Sequence, residues 1–109
     1  MAELDRGRGA DATIDTSADA TGAPVVRVSG DIDITNAAAL EAAAASAAAR
    51  RPERLIFDLS GLRFIDSAGI AVLLEAAEKV DAVQLRNPSA AVRRVVELTG
   101  LTDVLPIEP

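Results

Sequence analysis

The order of apolar segments predicts an α/β fold, a mixed sheet of four to five strands packed by three or more helices. Three observations carry this. Two weakly alternating segments, residues 12–17 and 24–28, are joined by polar turn residues and read as a hairpin. Short apolar runs then alternate with stretches of helical period. The chain has 109 residues, enough for one cored domain and too few for two.

Each element has its own justification. Residues 1–10 are polar, carry Gly7 and Gly9, and are expected to form a disordered tail, with the domain over 11–109. The hairpin follows, its first segment centred on Ile14 and its second rich in valine. Gly30-Asp31-Ile32-Asp33 punctuates the chain, and Thr35 is expected to cap a helix that ends near Ala49 or Arg50, before Pro52. That helix rests on alanine propensity, with Leu40, Ala44 and Ala47 inward. Leu55-Ile56-Phe57 suits a strand covered on both faces, with Gly61 as the turn after it. Asp66 opens a second helix with Ile70, Leu73, Leu74 and Ala77 on one face. Residues 80–85 read as a strand, and Asn87-Pro88-Ser89 opens a third helix with Val92, Val95, Val96 and Leu98 inward and Gly100 as its stop. Residues 104–107 add a last short strand.

Composition excludes several chemistries. There is no His and no Cys, hence no Ser-His-Asp triad, thiol nucleophile, disulfide or ordinary zinc site. The only lysine is Lys79, and Trp and Tyr are absent, which leaves little for Schiff-base chemistry or base stacking. No GxxxxGK[ST] or GxGxxG loop is present. The expectation is a protein with no cofactor and no metal, not an enzyme. A net charge of −6 disfavours nucleic acid and anionic membranes as partners. No apolar run is long enough to span a bilayer and no basic-then-apolar start suggests a signal peptide, so a cytoplasmic, mostly monomeric protein is expected.

Two groups of residues are candidates for function. Ser67 stands in Asp66-Ser67-Ala68-Gly69 between a strand-like segment and an amphipathic helix. One reading is an ordinary cap. The other is a phosphate position, where free amides and the helix dipole would favour an anion and Asp66 would orient the hydroxyl. Asp31 and Asp33, two residues apart, would face one side of an extended chain as a paired acidic surface, or simply end a strand. Magnesium there would need further ligands, with Asp66 the nearest candidate.

The chain resembles STAS domains of the anti-sigma factor antagonist type. The residues that carry this are Val28-Ser29-Gly30-Asp31-Ile32-Asp33, Leu55-Ile56-Phe57-Asp58-Leu59-Ser60-Gly61-Leu62, and Phe64-Ile65-Asp66-Ser67-Ala68-Gly69-Ile70. Asn87-Pro88-Ser89 through Leu101 continues the match in order. The resemblance implies the STAS fold and a regulator that, when unphosphorylated, binds an anti-sigma factor and so releases a sigma factor. It implies that the anti-sigma factor is a serine kinase, that Ser67 is the phosphoacceptor, and that a phosphatase resets the cycle. Asp33 matches the acidic residue near the phosphoacceptor, and Asp31, Asp33, Asp66, Ala68 and Gly69 are the implied partner-binding residues.

Two departures stand out. Ala68 occupies the position where relatives often have a second Ser, and the stretch from Glu78 to Leu85 lacks a Gly-containing loop, which puts the length of the second helix in question. Two rival functions are a STAS subunit of a lipid-transport or stress-signalling complex without a phospho-switch, and a nucleotide hydrolase using Asp33, Asp66 and magnesium. The missing phosphate loop argues against the hydrolase.

Overall fold

The computed structural model describes residues 12–108. Its strands are β1 (Ala12–Ala18), β2 (Pro24–Ile32), β3 (Leu55–Ile65), β4 (Val83–Arg86) and β5 (Ile107–Glu108). Its helices are α1 (Ala37–Ala48), α2 (Ser67–Lys79) and α3 (Ala90–Leu98). The sequence-predicted tail over 1–10 lies outside the described residues.

The strands lie side by side in sequence order. β1 runs antiparallel to β2 with Ile14 opposite Val28, so the expected hairpin forms. β2 to β5 are parallel, each reached from the last through one helix. Right-handed crossovers between neighbouring parallel strands put all three helices on one face. One core cluster accordingly joins Val26, Phe57 and Leu85 of the sheet to Leu40, Leu73 and Val96 of the helices. Burial of each such side chain contributes about 1.5–3 kcal/mol. With so few aromatic residues, the core closes through small ones: Ala44 and Ala47 of α1 are buried and bring that helix close to its neighbours.

A row of charges crosses the opposite face of the sheet. Asp15, Arg27, Asp58, Arg86 and Glu108 stand opposite one another in register, alternating in sign across all five strands. Arg27 Nε lies 3.4 Å from Asp58 Oδ2, and Arg86 Nε lies 2.8 Å from Glu108 Oε1. Burial raises the Asp58 carboxyl pKa, but the Ser60 N–H and hydroxyl and the Arg27 guanidinium outweigh it, leaving the group below its ordinary value.

Several element assignments need correction. β3 does not turn at Gly61 but continues to Ile65. Gly61 sits opposite Ser29, where the register shifts, and a Cβ there would meet Ser29 Oγ at 2.5 Å; the glycine marks a close approach of two strands, not a turn. β4 begins at Val83, and the last strand is Ile107–Glu108. The cap of α1 is Asn36, not Thr35. On α2 the buried residues are Gly69, Ile70, Val72, Leu73 and Ala76, while Leu74 and Ala77 are only partly covered, because α1 packs beside the Val72 and Ala76 edge. Leu98 is 73% exposed; it lies about 120° around α3 from Val92, off the covered face. The short connection after α2 leaves that helix its full 13 residues, from Ser67 to Lys79.

Candidate functional site

The predicted site residues meet at the carboxyl ends of β2 and β3. Asp31 and Ile32 pair with Phe64 and Ile65, so Asp33 and Asp66 leave the sheet side by side. The Asp66 N–H donates to the Ile32 carbonyl at 3.1 Å and ties the two departures together. Ligands of open α/β sheets bind at this end of the strands.

Ser67 is the first residue of α2 and is exposed. Asp66 is its N-cap: Oδ1 accepts the N–H groups of Ala68 at 2.9 Å and Gly69 at 3.3 Å. Two expectations change with this. The Asp66 carboxylate holds the helix start rather than orienting the Ser67 hydroxyl, and it already occupies amides that a phosphate would have used. A phosphate on Ser67 therefore meets a neighbouring carboxylate and two amides already taken.

Gly69 sets how closely α2 sits on the sheet. A Cβ there would lie 2.5 Å from Ile65 Cγ1 and 2.8 Å from Ile32 Cγ2, so only glycine lets the helix start rest on the strand ends.

Asp31 and Asp33 do not form a paired acidic surface. The chain leaves the regular strand at Gly30, whose φ of +91° accompanies a register shift, and Asp33 lies beyond β2. Arg63 Nε lies 3.3 Å from Asp31 Oδ1. Asp33 Oδ1 accepts both the hydroxyl and the N–H of Thr35, and these bonds, the hydroxyl's first, hold its carboxyl below the ordinary value. Among the described residues no three His, Cys, Asp or Glu side chains gather to hold a metal ion.

Three residues of this end escaped the sequence reading. Asn36 is buried; its Nδ2 donates to the Asp31 carbonyl at 2.9 Å and its Oδ1 accepts the Asp33 N–H at 2.9 Å, clamping the loop. A lone Asn four residues before Leu40 carries no signal for this. Ile34 and Phe64 are 81% and 52% exposed, large apolar side chains presented at the end of the sheet that carries Ser67. Their position beside polar motif residues was the available clue. An exposed Ile and Phe at the same end of the sheet as an exposed serine and three carboxylates give that end the mix of groups suited to a protein partner.

The sequence and the fold both have known relatives. The family model described as Mlab, STAS domain matches residues 6–106. The anti-sigma-F factor antagonist RsfB of Mycobacterium tuberculosis is 36% identical over 91 residues, covering 79% of this chain and 73% of the relative. The crystal structure of an anti-sigma factor antagonist from Mycobacterium paratuberculosis superposes with a TM-score of 0.82 at 36% identity, over 90% of this chain and 86% of that one. SpoIIAA in its unphosphorylated form shares the fold, with a TM-score of 0.74 at 22% identity over 89% of each chain. The relatives are named as antagonists of other proteins, not as enzymes. By sequence and fold together, the chain belongs to the STAS domain family, among its anti-sigma factor antagonists.

Proposed function

We propose that this chain binds an anti-sigma factor when Ser67 is unmodified, thereby releasing a sigma factor, and that phosphorylation of Ser67 by that same partner ends the binding. The observation that carries the reading is the exposed Ser67 hydroxyl on a helix start fixed by Asp66, at the end of the sheet that also presents Ile34, Phe64, Asp31 and Asp33. The apolar pair supplies contact area, and the rigid cap holds the acceptor oxygen in place.

In the transfer, Ser67 Oγ attacks the terminal phosphorus of the kinase's ATP. The Oγ–P bond forms, the bond to the bridging oxygen breaks, ADP leaves, and the hydroxyl proton passes to a base on the kinase. The phosphoserine then carries about −1.5 to −2 charges against Asp66 on its own side and the nucleotide's phosphates on the other. At a desolvated interface centre such repulsion weakens binding by about 2–5 kcal/mol. A phosphatase that hydrolyses the ester restores the binding form. This setting is cytoplasmic, where sigma factors act.

The test is calorimetric titration of the wild type, Ser67→Ala and Ser67→Asp into each anti-sigma serine kinase encoded in the same genome. Ser67→Ala is expected to bind as the wild type does and to escape the kinase, while Ser67→Asp binds at least about tenfold more weakly, which corresponds to ~1.4 kcal/mol. Equal affinities for all three forms would remove the switch. That outcome would favour the second reading, a STAS subunit held permanently in a larger assembly, which draws support from the Mlab description of the matching family model.

A further inference from the structure

A groove of about 630 Å³ runs between α1 and α2, starting beside Ala68 and leading away from Ser67. Ala38, Ala71 and Leu74 contribute its apolar surface, and Glu41, Glu75 and Glu78 give it three carboxylates. Ser67, Ala71 and Glu75 recur every four residues on one exposed stripe of α2, so the groove continues the surface that carries the serine. Among the described residues, no ion pair engages Glu41, Glu75 or Glu78; Lys79 borders the adjoining notch at the far end. Alanines on both walls keep part of the groove low, and helices approach closely over small residues.

We propose that this groove seats a helix of the anti-sigma partner, small or aliphatic along its inward edge and bearing Arg or Lys toward the three glutamates. The proposal rests on the antagonist reading and adds the chemistry that the partner presents. Charge complementarity selects this occupant: an acidic lip over an apolar surface favours a basic amphipathic helix and repels an acidic one. It does not conflict with a phosphate-sensitive Ser67. Eleven helical positions at 1.5 Å each put Glu78 about 16 Å along α2 from Ser67, which is beyond the ~8 Å screening length at physiological salt. The cationic side chains that face Glu75 and Glu78 and the nucleotide at Ser67 therefore act at different ends of α2.

The experiment titrates the isotope-labelled full chain with a designed helical peptide of about 14 residues, ~21 Å long, with Ala and Leu on one edge and Arg on the flanks. A matched peptide carries Glu in place of Arg. The amide signals of Glu41, Ala71 and Glu75 are expected to shift with the basic peptide, which binds at least about tenfold more tightly than the acidic one. The double variant Glu75→Lys/Glu78→Lys, checked for folding by circular dichroism, is expected to lose this binding and to lower the affinity for the anti-sigma kinase about tenfold. Equal binding of the two peptides, shifts confined to another surface such as Leu98 and Val104, or unchanged kinase affinity in the double variant would overturn the proposal. The peptide arm uses neither kinase nor phosphorylation, so its failure leaves the Ser67 switch standing. Failure of Ser67→Asp to weaken kinase binding would remove the switch and leave the groove.

Discussion

Asp66 and Ile32 are joined by one backbone hydrogen bond, N–H to carbonyl at 3.1 Å, across the ends of two parallel strands. It couples the turn that presents Ser67 to the loop that presents Asp33. Substitutions in either motif are therefore expected to be felt in the other.

Asp66→Ala removes the acceptor for the Ala68 and Gly69 amides. Loss of such a cap costs about 0.5–2 kcal/mol. The melting temperature, followed by circular dichroism because the chain lacks Trp and Tyr, should fall by several degrees, and phosphorylation of Ser67 should slow as the helix start frays. Unchanged melting would mean that the cap contributes nothing.

Gly69→Ala forces a Cβ against Ile65 and Ile32. Overpacking of this kind costs about 1–3 kcal/mol. Partner affinity should drop as α2 lifts from the strand ends. Gly22→Ala is a useful contrast, because its Cβ meets no atom within 4 Å and only its backbone conformation resists the change.

Ile34→Ser and Phe64→Ser should leave thermal stability within about 0.5 kcal/mol, as exposed substitutions usually do. If these side chains lie in the interface, each should weaken binding of the anti-sigma factor, with Phe64 giving the larger effect. Calorimetric titration beside melting curves separates the two quantities, and full affinity in both variants would place the interface elsewhere.

Acid should destabilise the domain below about pH 4, the ordinary carboxyl range. Hydrogen bonds from Thr35 to Asp33 and from Thr21 to Asp19 hold these carboxyls below their ordinary value, and the net balance at Asp58 has the same direction. In that window the unfolded chain binds more protons than the folded one, so stability rises with pH up to the unfolded value and is lost as pH falls through the folded one. Melting temperatures measured between about pH 7 and pH 3 should be flat at first and then drop, and Asp58→Asn should make the drop shallower.

Ala68→Ser places a second hydroxyl next to Ser67. Ser67 should remain the acceptor, because the cap geometry that positions it is unaffected. Phosphopeptide mapping decides this, and phosphate found chiefly on Ser89 or Thr99 would contradict the assignment.

Much of this end was readable from the chain because caps and short apolar runs are local signals. Asp66 and Ser89 do cap α2 and α3, and Leu55 to Phe57 do form a buried strand segment. The carboxyl half of β3 was not readable, since its buried residues Leu59, Leu62 and Ile65 recur every third position, unlike a regular strand. That spacing comes from register shifts against β2, a tertiary relationship with no local trace. Asn36 was overlooked, and the pairing of Asp31 with Asp33 did not form, for a similar reason: which side chains meet in a loop depends on where Gly30 sends the backbone. The direction of Leu98 was a matter of helix angle and could have been computed from its spacing to Val92.

The alternating row from Asp15 to Glu108 has a bearing on how copies of this protein behave together. Stacking two such sheets face to face would bury charges of both signs, at several kcal/mol per ion unless every pair matched. Sliding a strand by one residue would break the row, since successive side chains point to opposite faces. Face-to-face stacking of such sheets is thus opposed by the pattern of their charges, independently of their total.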